Sequence, residues 1–233
     1  MKHPILSIIG AGGKTTALLA LARALAGQRV LLTTSTHIYP VAPPQSRALL
    51  IDPEADELLD ALAAPGIVCA GTDAGAGKLG VLAPALFRQA VQAADITLCE
   101  ADGAHHLPLK LHRADEPVVP LDSARCVIVA GLSAWGRPVG EAVHRFALHP
   151  DWVRDPARLV GADEILYCVR EAADRSRLPR ERVRVVLNQA DTPALRAQAA
   201  PLTRLLAREG LPCRAGSLQT EADMLARWCL DGL

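Results

Sequence analysis

The sequence predicts an α/β fold, a mostly parallel sheet with helices on both faces, on three observations. First, residues 5–10 (Ile-Leu-Ser-Ile-Ile-Gly) form a short apolar run that breaks into glycines, and an Ala- and Leu-rich stretch over 17–26 follows at once, so a buried strand gives way to a helix at one turn. Second, apolar runs of strand length recur at 29–34, 47–51, 67–70, 96–99, 126–130 and 183–187, most of them separated by stretches that carry helix starts. Third, hydroxyl, acidic and amide residues sit just beyond several of those runs, at 33–37, 100–103 and 188–191, and a parallel sheet gathers such strand ends on one edge. Together these describe a three-layer αβα architecture of the P-loop NTPase-like kind. At 233 residues the chain can bury one sizeable core, and it is read as a single domain over 1–233.

Gly10, Ala11, Gly12, Gly13, Lys14, Thr15 and Thr16 read as a phosphate-binding loop between the first strand and the first helix. A helix N-terminus favours anions, and glycines let backbone N–H groups wrap phosphate oxygens. Lys14 is then placed to reach terminal phosphates and the Thr15 hydroxyl to ligate Mg²⁺. The pattern is the short form Gly10-x-x-Gly13-Lys14-Thr15, since a full Walker A loop has glycine where Ile8 stands, and it resembles the loop of Mur-type ligases. A second glycine-rich stretch, 71–79, offers Lys78 but has Leu79 where a Mg²⁺-binding hydroxyl belongs, and is read as a flexible loop.

Composition narrows the function classes. Half the residues are apolar, which argues against disorder, and 25 basic against 25 acidic side chains give a net charge of zero, with no basic field for nucleic acid. No apolar run approaches the about 20 residues that span a bilayer, and no charged-then-apolar leader opens the chain, so a cytoplasmic protein without a membrane partner is expected. Six widely spaced cysteines, Cys69, Cys99, Cys126, Cys168, Cys213 and Cys229, make no C-x-x-C pair and read as reduced core residues.

Further along, Thr33, Thr34, Ser35, Thr36 and His37 end the second strand, where hydroxyls can hold Mg²⁺ or substrate, or form an ordinary polar loop. Asp52-Pro53 suits the start of a helix through Ala63, and another helix begins near Pro84. The strand at 96–99 delivers Glu100 and Asp102 at its C-terminal end, a Walker B-like placement from which one acid can bind Mg²⁺ and the other position or activate water. Residues 104–120 mix His105, His106, Lys110, His112 and Glu116 with prolines and read as an irregular strap over the sheet. Lys110 and Glu116 are assigned to substrate handling or to ion pairs that hold the strap.

The stretch 139–146 reads as a helix carrying Arg145 toward the site, where a guanidinium suits phosphoryl charge. One or two helices are expected over 151–180, starting at Asp155-Pro156 and Asp163. Asn188 and Asp191 end the last long strand as the N-K-x-D element of guanine-nucleotide-binding proteins does, the aspartate meeting the base and the asparagine tying loops together. Gln189 replaces the lysine there, which weakens guanine specificity, and Asp191 also fits a helix N-cap. The following helix is expected to bend or break at Pro201, and a last amphipathic helix over 221–230 to bury Met224, Leu225 and Trp228.

Gly-Ala-Gly-Gly-Lys-Thr-Thr at 10–16, Glu-Ala-Asp-Gly-Ala at 100–104, Leu-Pro-Leu-Lys at 107–110, Glu-Pro-Val-Val-Pro at 116–120 and Asn-Gln-Ala-Asp at 188–191 together resemble the selenium-dependent hydroxylase accessory protein family known as YqeC, over nearly the whole chain. That family is regarded as a nucleotide-binding accessory to selenium-dependent molybdenum hydroxylases, with no settled reaction. The resemblance implies nucleotide at residues 10–16 and functional roles for Glu100, Asp102 and Lys110. The chain departs from the family's usual residues at Ser35, His37 and Gln189. The resulting expectation is a Mg²⁺-dependent protein that binds ATP or GTP, a slow NTPase assisting maturation or cofactor insertion of a molybdenum hydroxylase. Lys14, Glu100 and Asp102 are its catalytic residues, and Thr15, Glu100 and Asp102 its metal ligands. A ligase or kinase acting on a small acceptor held by the strap, and a nucleotide-gated cofactor carrier without turnover, are the alternatives.

Overall fold

The computed structural model describes residues 3–233. Strand β1 (Ile5–Gly10) leads through three residues into helix α1 (Lys14–Ala24), and β2 (Arg29–Thr34), β3 (Ala48–Ile51), α2 (Ala55–Leu62), β4 (Gly66–Asp73), β5 (Leu79–Gly80), α3 (Pro84–Ala93) and β6 (Ile96–Glu100) follow. The strap contributes β7 (Leu109–Lys110), then come β8 (Ser123–Gly131), α4 (Val139–Ala142), β9 (Val143–His144), α5 (Pro150–Arg154) and α6 (Ala162–Arg175). The chain closes with β10 (Val183–Asn188), α7 (Pro193–Arg208), β11 (Cys213–Ala215) and α8 (Ala222–Leu230).

The main sheet has the order β11-β10-β8-β1-β6-β2-β4-β3, every neighbouring pair parallel, with β5 antiparallel on the end of β4. Side-chain alternation sorts the strands' residues into two cores, as a strand period of two requires. Leu6, Ile8, Val30, Leu32, Val127, Val129 and Val186 face α1 and α8. On the other face Ile128, Ala130, Val185 and Leu187 meet α6 and α7, while Leu31, Val68 and Ala70 meet α2 and α3. Helices therefore cover both faces, and the three-layer αβα fold read from the sequence is the fold observed. Strands buried on both sides explain the near-continuous apolar runs.

This order places β1 between β6 and β8, so the loop after Gly10 is flanked by the ends of its neighbours. Ile8 is level with Glu100 on one side and Val127 on the other, and Thr34 of β2 is level with Glu100. Ligands of parallel α/β sheets bind beyond such strand ends, and this edge carries the candidate site.

Several local expectations are corrected. Asp52 has a left-handed backbone (φ 51°) and its carboxylate accepts from the Asp73 amide at 3.2 Å, so α2 starts after Glu54 instead. The stretch 71–79 is a hairpin in which β5 folds back on β4, which returns Lys78 to the sheet edge. The helix expected over 139–146 stops at Ala142, because β9 pairs with β7 of the strap, and Arg145 lies beyond it at φ 61°. Asp155 ends α5 rather than starting a helix, and α6 begins after Gly161, whose amide is held by the Glu164 carboxylate at 2.8 Å. Helix α7 passes Pro201 without a break, and its N-cap is Thr192, not Asp191. In α8 Leu225, Ala226 and Cys229 are buried, whereas Met224 is exposed. All six cysteines are free thiols, five of them buried.

Candidate functional site

The β1–α1 loop is short because β1 stays in the sheet through Gly10, which leaves Ala11, Gly12 and Gly13 to make the turn. Gly10 is required: at φ 98° a Cβ would lie 2.2 Å from the Val129 carbonyl oxygen. The first three amides are spent inside the protein. Gly10 N–H donates to Asp102 Oδ2 (2.9 Å), Ala11 N–H to the Val129 carbonyl (2.8 Å) and Gly12 N–H to the Leu107 carbonyl (3.1 Å). The next four, from Gly13, Lys14, Thr15 and Thr16, have no hydrogen-bond partner among the described residues, and no side chain caps α1. These are the orphan donors of a helix N-terminus, and they open onto the cavity described below. The amides free to meet an anion are thus those of residues 13–16, while Gly10 and Ala11 shape the turn.

Lys14 is buried and folded back on its own loop. Its Nζ donates to the Gly10 carbonyl (2.9 Å) and lies 3.1 Å from Asp102 Oδ1 and 3.7 Å from Glu100 Oε1. Asp102, fully buried, is the hub: its Oδ2 accepts from Gly10 N–H and His112 Nε2 (2.8 Å) and lies 3.1 Å from Lys110 Nζ, while Oδ1 faces Lys14 without an aligned donor. Burial pushes the Asp102 carboxyl up, but Lys14, the His112 hydrogen bond and Lys110 outweigh it and hold the group well below the usual carboxylate range. Glu100, 8 % exposed, has Lys14 as its one ion-pair partner among the described residues, and burial outweighs Lys14 and the more distant Lys110 to push it up to about 7, with Asp102 adding repulsion. The two acids therefore part in role. Glu100 lines the cavity; Asp102 does not, so its assignment as a metal ligand is corrected to that of a buried clamp on the loop and on Lys14.

The strap folds against that clamp. Gly131 N–H donates to the Pro108 carbonyl (2.8 Å), and β7 pairs with β9. Lys110 is buried, donating to the Gly103 carbonyl (2.6 Å) and to Glu116 Oε2 (3.2 Å). Arg145 holds Glu116 through both guanidinium nitrogens, Nη2 donating to Oε1 at 3.0 Å. Burial raises the Glu116 carboxyl, yet Arg145 and Lys110 bring it down to about 2, so Glu116 is an anion at neutral pH. Glu116 and Arg145 line the cavity, and Lys110 lies behind them. His105 and His106 are exposed and line it too, His105 tilted on His144 with centroids 4.7 Å apart.

Asn188 ties loops together, as its position implied: Nδ2 donates to the Gly12 carbonyl (2.7 Å) and Oδ1 accepts from the Leu218 amide (2.8 Å). With both ends committed and the residue buried it does not line the cavity, nor does exposed Asp191; Gln189 does. The hydroxyls of Thr33 and Thr34 are committed as well, to the carbonyls of Ala70 and Glu100, each at 2.8 Å.

Residues from the loop, β6, the strap and the β2 end enclose a cavity of about 680 Å³, within the range of small-molecule sites. Among the described residues no group of three or more His, Cys, Asp and Glu side chains is arranged to hold a metal ion. A Mg²⁺ fit needs fewer protein ligands, since this ion keeps waters and phosphate oxygens around one or two carboxylates. Thr15, whose hydroxyl has no partner among the described residues, and Glu100 line the same cavity and fit that requirement.

Sequence reasoning missed His112 and Glu171. His112 is buried between Asp102 and Glu171 (Nδ1 to Oε2, 2.7 Å), and although burial lowers its pKa, the hydrogen bonds to those two acids raise it above the ordinary value. Nothing in the chain's local pattern distinguishes it from His105 or His106, because Glu171 comes from α6. Lys78 and Tyr39, also missed, line the cavity.

Among the described residues no helix is long and apolar enough to cross a membrane. Over 97 % of its length, and 85 % of the other chain, the fold aligns with HypB from Helicobacter pylori in complex with nickel at a TM-score of 0.44 and 11 % identity. The sequence is 36 % identical over 163 residues to the uncharacterized protein YqeC of Escherichia coli (strain K12), which covers 64 % of this chain and 61 % of that relative, so the match spans less than two thirds of the relative's length. Residues 6–147 match the family described as YqeC protein, a span that holds the loop, the acids and the strap but stops short of Asn188 and so is narrower than the sequence motifs implied. With more than half of its residues matched, the chain belongs to the YqeC family.

Proposed function

We propose that this chain is a Mg²⁺-dependent nucleoside-triphosphate-binding protein, one cytoplasmic domain over 1–233, acting as a slow NTPase that assists maturation or cofactor insertion of a selenium-dependent molybdenum hydroxylase. The observation that carries the nucleotide reading is the set of unpartnered amides at Gly13, Lys14, Thr15 and Thr16, facing a cavity beside a buried lysine. The client follows from the family resemblance alone.

In this reading the four amides hold the terminal phosphates, and the Lys14 ammonium turns from the Gly10 carbonyl and the Asp102 carboxylate to a phosphate oxygen, which replaces both as its charged partner. Asp102, kept ionised by Lys110 and His112 when Lys14 leaves, keeps hold of the Gly10 amide and so of the loop's shape. Glu100, with its carboxyl near neutrality, orients water and takes its proton, a match of pKa to operating pH that general bases need. The Thr15 hydroxyl, and Glu100 through water so that its carboxylate stays free to take a proton, would hold Mg²⁺, which would supply neutralisation of phosphate charge.

The test is binding and hydrolysis of ATP and GTP with Mg²⁺ by wild type and Lys14→Ala. Wild type is expected to bind one of the two and hydrolyse it, and Lys14→Ala to lose about 100-fold or more in turnover. Binding without hydrolysis, even with the client enzyme added, would favour the nucleotide-gated carrier, and absence of binding by wild type would overturn the reading.

A further inference from the structure

The cavity is larger than the loop that anchors it. Along the strand-end edge it runs from Gln189 after β10, past residues 12–16, to Tyr39 after β2 and Lys78 on the β4–β5 hairpin. A nucleotide with its phosphates on the four free amides and its base toward Gln189 occupies one side of β1 and leaves the β2–β4 side empty. This empty half has its own chemistry. Lys78 makes no ion pair among the described residues, and its ammonium lies 5.1 Å from the centre of the Tyr39 ring. His37 and His106 line the same end and, among the described residues, have no acidic partner either. The acids on this cavity are Glu100, beside Lys14, and Glu116, already held by Lys110 and Arg145.

The rings at this end are also disposed for a guest. Tyr39, 54 % exposed, and His106 are within 23° of parallel with centroids 6.2 Å apart. Two ring contacts of about 3.5 Å each would separate them by about 7 Å, so a small opening of the strap admits one flat group between them.

We infer that the Tyr39–Lys78 end of the cavity binds a second ligand, a planar molecule bearing a carboxylate or phosphate, stacked against Tyr39 and His106 with its anion on Lys78. The inference rests on the reading of residues 13–16 as the nucleotide's place, and it gives the chemistry of an acceptor or cargo that this nucleotide would act on. Lys78 supplies the charge, and His106 of the strap supplies the closing ring.

Calorimetric titration of the whole chain with orotate, quinolinate and 1-naphthyl phosphate, and with cyclohexanecarboxylate as the non-planar control, tests it with and without saturating Mg²⁺–ADP. At least one planar anion is expected to bind one-to-one in both conditions and at least tenfold more tightly than the control. Tyr39→Ala and Lys78→Ala, at exposed and half-buried positions that do not hold the core, are each expected to weaken it tenfold or more while ADP affinity stays within twofold. Failure of all three planar anions to bind, their displacement by ADP, equal binding of the control, or indifference to both substitutions would overturn the inference. Planar-anion binding that responds to both substitutions in a protein that takes no nucleotide would support this site and overturn only the nucleotide reading.

Discussion

Glu100 and Asp102 are two residues apart and live under opposite electrostatics. Asp102 is surrounded by donors, the Gly10 amide and the His112 ring, with two ammonium groups at 3.1 Å, so its charge is stabilised despite complete burial. Glu100 has one ammonium at 3.7 Å and little water, and its charge costs more than that contact returns. A carboxyl that titrates at about 7 in the fold and near 4.5 when unfolded binds a proton in the native state that the unfolded chain has released. Stability from this group is therefore present below pH 4.5 and falls as pH rises toward 7. Glu100→Gln, which cannot ionise, is expected to be more stable than wild type by about 3 kcal/mol at pH 8 in metal-free buffer and indistinguishable at pH 4.5, as read by urea denaturation. A constant difference across that range would show that Glu100 is not the group that titrates. His112 has the same pH sign for the opposite reason, since the fold favours its charged form: its raised pKa contributes stability below 6.5 that is lost as pH rises through the folded value.

At the scale of elements, the loop and the strap form one unit. Gly12 N–H bonds the Leu107 carbonyl, Gly131 N–H bonds the Pro108 carbonyl, and the Gly12 carbonyl is held by Asn188, so three strand ends converge on a single glycine. A Cβ at Gly12 would lie 2.6 Å from the Gly131 backbone at a φ of 74°. Gly12→Ala is expected to push the strap off the loop, costing about 2–4 kcal/mol and raising amide exchange over 105–110 while leaving α7 protected. Unchanged exchange in the strap would mean that the loop and the strap are not coupled through this contact. The motifs at 10–16, 100–104 and 107–110 are legible in the sequence as separate signatures because each follows a strand or carries its own spacing. Their joining through Asp102 and Gly12 is not legible, since it depends on which strands become neighbours.

For the whole molecule, the parallel order β11-β10-β8-β1-β6-β2-β4-β3 carries the sheet from residue 48 to residue 215 with β1 near its middle. The core on one face runs under α1 from β4 to β10 without interruption, joining residues as distant as Ile67 and Val186. Such a core predicts one cooperative unfolding transition, with fluorescence of the three tryptophans and far-ultraviolet dichroism coinciding. Two separated transitions would show that the strands on the two sides of β1 fold as independent units. In the proposed function, saturating Mg²⁺-nucleotide moves that single transition upward by mass action, about 2.7 kcal/mol at 100-fold excess over Kd.

The sequence by itself determined the layers of the fold, because strands buried on both faces must be apolar throughout and helices between them must be amphipathic. It determined the loop as well, because a turn with glycine at positive φ before Lys14 tolerates few other residues. It also placed Glu100, Asp102 and the strap beside one another in the chain. Only the tertiary structure decided their roles. Burial and neighbours from β1, α1 and the strap made Asp102 a clamp and Glu100 a near-neutral acid, and His112 drew in Glu171 of α6. It also returned Lys78 from a dismissed glycine-rich stretch to the cavity wall. The physical reason is that backbone conformation and amphipathic pattern are local properties of the chain, whereas a side chain's charge state and its partners are set by groups that sequence distance does not reveal.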